Sequence, residues 1–196
     1  MTLRTRLMAI LAASIAAIAL PLVLYEIRER DVNASASPPA VLNKLKLTAG
    51  SPAAPDIAFS DASGKALKLN DFHGRYMVVN LWATWCGPCL TELPSLAHLQ
   101  AVLPQDRITV VPIDLERIGV ERVTEFLKMH AIDGVPIYVD SNYSTLRGFA
   151  ANELPLTILI DSEGREIGRA AGAQEWDNAA SVAYLKAISA PKQPAS

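Results

Sequence analysis

Tyr76–Trp82 (YMVVNLW) is an almost unbroken apolar run of strand-forming residues, and Cys86-Gly87-Pro88-Cys89 follows only four residues later. Such a run suits a strand buried on both faces. A helix is predicted to start at about Cys86 and to continue to about Val102, with Pro94 inside it as a kink. Two thiols separated by two residues can close a ring only where the backbone turns, and a helix start supplies that turn. Cys86 would then lie at the helix N-terminus, where free N–H groups and the helix dipole favour an anion. That lowers a thiol pKa and raises the population of thiolate, the nucleophilic form. Pro88 suits the opening turn, where a missing N–H costs little. Cys89, one turn further in, is expected to be more buried and placed to attack a mixed disulfide.

Two plainer readings of the cysteine pair stay open, a metal site and a structural disulfide. A structural zinc usually takes four ligands. The chain has two cysteines, and His73, His98 and His130 show no ligand-like spacing to them. A structural staple gains most when it joins distant segments. The short ring at a strand–helix junction therefore favours redox exchange, with no metal and no cofactor beyond the Cys86–Cys89 disulfide itself.

Strand and helix patterns alternate around this junction. Ile57–Ser60 and Ala66–Leu69 flank Ser63-Gly64 and read as a hairpin. Ile108–Ile113 reads as a buried strand. Val120–His130 has apolar residues at helical spacing. Pro136–Val139 is a short strand candidate and Ser144–Ala150 a short helix. Thr157–Ile160 and Ile167–Ala171 flank Ser162-Glu163-Gly164 as a second hairpin, and Trp176–Ile188 closes the order as a helix. The pattern predicts an α/β fold with a mixed central sheet flanked by helices.

The N-terminus adds a separate element. Leu7–Leu24 contains no charged residue. It is long enough to cross a bilayer, which takes roughly 17–25 apolar residues. Arg4 and Arg6 precede it, which favours a cytoplasmic N-terminus. The alternative is a cleaved leader ending near Ala34-Ser35-Ala36, although the charged Glu26–Asp31 stretch separates that site from the apolar run. Either reading exports the cysteines to an oxidising compartment. The predicted organisation is a cytoplasmic stub at 1–6, one transmembrane helix at 7–24, a linker at 25–54 that is rich in Pro, Ala and Ser from Asn33 and holds a short helical patch at Val41–Leu47, a folded domain at 55–189 and a disordered tail at 190–196. The formal net charge is −2, so no basic surface argues for nucleic acid.

Tyr76–Pro94 (YMVVNLWATWCGPCLTELP) resembles the active-site segment of thioredoxins, and more narrowly that of the TlpA/ResA/CcmG group of membrane-anchored bacterial thioredoxin-like proteins. Asn80 stands where cytosolic thioredoxins carry a buried Asp. Glu92 follows Cys89 by three residues, as an acid does in the ResA and CcmG branches. The helix at Val120–His130 matches that group's insertion, and Gly172–Asp177 resembles the TlpA approach to the last helix. The resemblance implies a thioredoxin-like fold with an N-terminal hairpin and an inserted helix. It also implies a cis-proline at Pro155 that presents the backbone of Leu154 to a substrate chain. Leu156 departs from the small or hydroxylated residue common there. Trp85 is implied as a partly exposed shield beside Cys86, with Gly87 and Pro88 at the substrate-facing turn. Glu92 has two readings: a carboxylate under Cys89, raised in pKa by burial, that takes or relays its proton, or an exposed acid of the first helix turns favoured by the dipole.

By the same resemblance the chain is a thiol:disulfide oxidoreductase in the bacterial inner membrane, with its domain in the periplasm. It would reduce cysteines of exported proteins, such as apocytochrome c or copper-site proteins of a terminal oxidase, and draw electrons from a membrane carrier of the CcdA/DsbD type. The alternatives are a disulfide-forming oxidase or isomerase with the opposite electron flow, and a copper chaperone. The last lacks the late histidine of related copper carriers, because His130 is the final one in the chain.

Overall fold

The computed structural model describes residues 37–190. The expected stub, the Leu7–Leu24 span and the tail from Pro191 lie outside the described residues. Among the described residues no helix is long and apolar enough to cross a membrane.

The strands are β1 (Leu45–Leu47), β2 (Ala58–Asp61), β3 (Ala66–Lys68), β4 (Tyr76–Trp82), β5 (Ile108–Asp114), β6 (Tyr138–Val139), β7 (Leu156–Ile160) and β8 (Glu166–Ala171). The helices are α1 (Gly87–Val102), α2 (Gly119–Met129), α3 (Ser144–Gly148) and α4 (Ala179–Ile188). All eight strands form one sheet in the order β1-β8-β7-β4-β5-β6-β2-β3. β4 lies inside the sheet, parallel to β5 and antiparallel to β7. This is a thioredoxin-like mixed α/β fold, with the predicted β2–β3 hairpin and with α2 inserted between β5 and β6.

Both faces of β4 are covered, which is why its sequence is apolar almost throughout. Val78 and Trp82 pack under Leu93, Leu96 and Leu99 of α1, with Leu185 of α4 in the same cluster. Met77, Val79 and Leu81 point the other way, into a core with Phe59, Phe72, Ile113 and Phe149. Leu156 is buried in that second core, so its departure from the family pattern acts there through packing. Asn80 takes a position on the α1 side of β4, buried between Val78 and Trp82. Helix α1 runs through Pro94, which is exposed.

Three boundaries differ from expectation. The fold reaches back to Pro38 and does not begin at Pro55. The patch at Val41–Leu47 is a 3-10 turn at Ala40–Leu42 followed by strand β1, which pairs antiparallel with β8. Leu45 enters the α1-side core, while Lys46 stays exposed on this edge strand. The last helix starts at Ala179, because the Asn178 side chain accepts from the Ala180 N–H and caps it there.

Candidate active site

β4 ends at Trp82, and the loop Ala83–Trp85 carries the chain to Cys86, the N-cap of α1. Cys86 and Cys89 are joined by a disulfide. Cys86 Sγ also accepts the Cys89 backbone N–H at 3.3 Å, so the sulfur occupies the place of a helix-capping acceptor. The loop is pinned from the neighbouring strand end. Leu115 N–H donates to Trp82 O at 3.0 Å, and Thr84 N–H donates to Glu116 Oε2 at 2.5 Å.

Cys86 opens onto a groove of about 320 Å³ shared with Trp85, Leu115, Tyr143, Leu146 and Leu154. Trp85 is 73% exposed, whereas Trp82 is only 2% exposed in the core. Gly87 and Pro88 are exposed at the first turn of α1. The Leu154–Pro155 peptide bond is cis. Pro155 is buried, and its carbonyl accepts the Gly172 N–H at 2.7 Å. The structure therefore brings Trp85, Cys86 and Leu154 to one groove, with Pro155 behind them at the start of β7. Cys89 is 1% exposed and does not line the groove.

Glu92 lies three residues beyond Cys89, on the same face of α1. It is 2% exposed and served entirely by donors. Its Oε1 accepts the Gln174 backbone N–H at 3.0 Å and the Trp176 ring N–H at 2.6 Å. Its Oε2 accepts from Asn80 Nδ2 at 3.0 Å. Asn80 Nδ2 also donates to Thr157 Oγ1 at 2.9 Å, across the β4–β7 pair in which the two residues face each other. Burial pushes the Glu92 carboxyl up; the bonds from Trp176, Gln174 and Asn80, and the charge of Lys44, hold it partly back. Asn80 Oδ1 is buried with no partner among the described residues.

A second buried carboxylate sits behind the loop. Asp114, paired with Trp82 in the β4–β5 register, is fully buried. Its Oδ1 accepts the Glu116 N–H at 2.9 Å, and its Oδ2 has no partner among the described residues. Its pKa is pushed up to about 7, first by burial and then by the neighbouring Glu116 carboxylate. The sequence reading missed Asp114, Glu116, Gln174, Thr157 and the inward role of Trp176. For Trp176 a signal existed, since it lies within the Gly172–Asp177 stretch already singled out, but that stretch read only as a helix approach.

The chain matches the family Redoxin over residues 48–186. It is 28% identical over 135 residues to the thiol-disulfide oxidoreductase ResA of Bacillus thuringiensis subsp. konkukian (strain 97-27), covering 69% of this chain and 76% of that protein. It is 28% identical over 114 residues to ResA of Bacillus subtilis (strain 168), covering 58% of this chain and 63% of that one. A crystal structure of a putative thiol:disulfide interchange protein DsbE from Chlorobium tepidum aligns with TM-score 0.61 and 27% identity, over 70% of this chain and 96% of that one. The resemblance to the TlpA/ResA/CcmG group holds in these comparisons. The chain thus belongs to the redoxin family, as a thiol–disulfide oxidoreductase of the ResA/DsbE type.

Proposed function

We propose that this protein is a reductase that delivers two electrons to oxidised cysteines of exported proteins, from an inner-membrane anchor at Leu7–Leu24 and with its folded part in the periplasm. The observation that carries the reading is the placement of Cys86. Its sulfur caps α1 beside an open groove, and no basic side chain stands among that groove's described lining residues. Helix-start stabilisation alone gives a modest gain in thiolate, and a modestly stabilised reduced form makes a weakly oxidising disulfide.

In the reduced protein, the Cys86 thiolate attacks a substrate disulfide. One substrate sulfur leaves as a thiolate and takes a proton from water, while the other is held to Cys86. Cys89 then gives its thiol proton to Glu92, and its sulfur bonds to Cys86 Sγ. The Cys86–substrate bond breaks, and the second substrate sulfur leaves and is protonated. The substrate gains two electrons, and the Cys86–Cys89 pair loses them. Leu154, held ahead of Pro155, offers its backbone to the extended substrate chain, and Trp85 covers the apolar side of the groove. Apocytochrome c and copper-site proteins of a terminal oxidase fit as substrates. A membrane carrier of the CcdA/DsbD type fits as the donor that reduces the pair again.

The test is trapping with Cys89→Ser in cells, because the mixed disulfide at Cys86 then cannot be resolved. Exported proteins with cysteine pairs should be caught, apocytochrome c or oxidase copper-site proteins among them. Adducts confined to cytoplasmic proteins, or no adducts, would contradict the proposal.

A further inference from the structure

A second opening, which shares no lining residue with the substrate groove, borders Glu92. Strand β1 and the turn before it bring Val41, Asn43 and Lys44 against Thr91, Ala173 and Gln174 around a cleft of about 300 Å³, and Glu92 forms part of its wall. Lys44 is tied to the carboxylate by structure. Its backbone N–H donates to Gln174 Oε1 at 3.2 Å, and Gln174's own N–H donates to Glu92 Oε1 at 3.0 Å. Its side chain lies over Gly172, where an added Cβ would come within 2.7 Å of Lys44 Nζ. Gly172 has φ +88°, so the backbone there also demands glycine.

The charged groups facing Glu92 are few. Lys44 and Glu175 share the cleft with it. On its own helix, Cys89 lies one turn before it and His98 further along, the latter facing Asp177 at 3.2 Å. Asn80, Thr157 and Trp176, from the other packed elements, are neutral. Lys44 is the cation that shares Glu92's cleft, and its own exposure keeps its ammonium in contact with water.

We infer that Lys44, lying across Gly172 in this cleft, is a positioning residue that holds Glu92 ready to take the Cys89 proton. The inference rests on the proposed role of Glu92 as acceptor of that proton. When Cys89 S–H gives its proton to the Glu92 carboxylate and the Cys86–Cys89 bond closes, the carboxylic acid must return its proton to water before the next turnover. The cleft is where Glu92 meets a solvent-facing surface, and the ammonium of Lys44 favours the ionised form to which Glu92 must return.

The test is single-turnover oxidation of the reduced full-length chain by oxidised glutathione at concentrations that saturate the Cys86 attack, so that the rate reads resolution by Cys89, followed by tryptophan fluorescence across pH 4.5–8. Lys44→Gln should move the acid limb of the rate profile to higher pH, slowing the reaction roughly threefold on that limb, the size of one partly screened charge. Lys44→Arg should restore the native profile. High salt should shrink the gap between Lys44→Gln and the native protein. In a Glu92→Gln background, Lys44→Gln should have no further effect. If Glu92→Gln removes the acid limb while Lys44→Gln leaves it in place, the inference about Lys44 fails and the role of Glu92 stands. If Glu92→Gln leaves the limb unchanged, Glu92 is not the acceptor and both fall.

Discussion

The Trp176 ring N–H donates to Glu92 Oε1 at 2.6 Å, fastening the stretch before α4 to the middle of α1 across 84 positions of sequence. Trp176 is fully buried, so this indole is at once core packing and one of three donors to a carboxylate that is only 2% exposed. Hydrogen bonds to the ionised form favour it. Without the indole donor, burial dominates further and the carboxyl moves upward.

Trp176→Phe keeps most of the apolar contact and removes the donor. It should lower stability by about 1–3 kcal/mol, the usual cost of leaving a buried polar group short of a partner. It should also move the acid limb of the oxidation rate to higher pH. Urea unfolding midpoints and the pH–rate profile check both effects; unchanged values in both would show that the bond carries no weight.

Asp114 sets a pH dependence of stability. Its pKa in the fold is pushed up to about 7 from an ordinary value of 3.8. Between those values the folded protein holds a proton that the unfolded chain has released. Stability from this group is therefore fully present below the ordinary value and is lost as pH rises through about 7. Asp114→Asn keeps an acceptor for the Glu116 N–H and carries no charge. Its stability relative to the native protein should rise between pH 5 and pH 8, by on the order of 1–3 kcal/mol. Chemical denaturation at the two pH values measures the gap, and a gap that stays constant would contradict the assignment.

The two thiols should differ sharply once reduced. Cys86 lines the open groove and caps α1, while Cys89 lies beneath it within the helix. With an alkylating agent at neutral pH, Cys86 should react at least about tenfold faster than Cys89, with a pKa below the free value of ~8.5. Mass spectrometry of partly alkylated protein reads the ratio. Equal labelling would contradict the placement of Cys86 at the helix start.

The parts that sequence made legible share a physical cause. β4 and α1 are long elements with strong local patterns, and the spacing of Cys86 and Cys89 encodes the turn between them. β1 escaped because it is three residues within a Pro/Ala/Ser-rich stretch, and its partner β8 lies more than a hundred positions away. The start of α4 was placed too early because Trp176 looks like a first apolar helix residue, yet it turns inward to Glu92 before Asn178 caps the helix. Glu92 was visible through the family resemblance, which places an acid three residues after the second cysteine. The donors that hold it come from two segments far apart in sequence, β4 and the stretch before α4, and no local pattern joins Asn80 to Gln174 and Trp176. Asp114 and Glu116 likewise gain meaning only when the end of β5 is set beside Trp82.

The direction of electron flow is the central claim, and the reduction potential of the Cys86–Cys89 pair tests it most directly. Helix-start stabilisation of Cys86 is modest. Asn80 places no charge near the thiols, which raises the potential slightly, while an ionised Glu92 would lower it. The balance gives a potential of about −210 to −270 mV, near thioredoxin at about −270 mV and far from the strong oxidant DsbA at about −120 mV. Each ~30 mV is tenfold in the two-electron equilibrium, so the two outcomes are separated by decades. Equilibration of the protein with glutathione buffers, followed by tryptophan fluorescence, should give a value within that range. A value more positive than about −160 mV would contradict a reductase and favour a disulfide-forming oxidase.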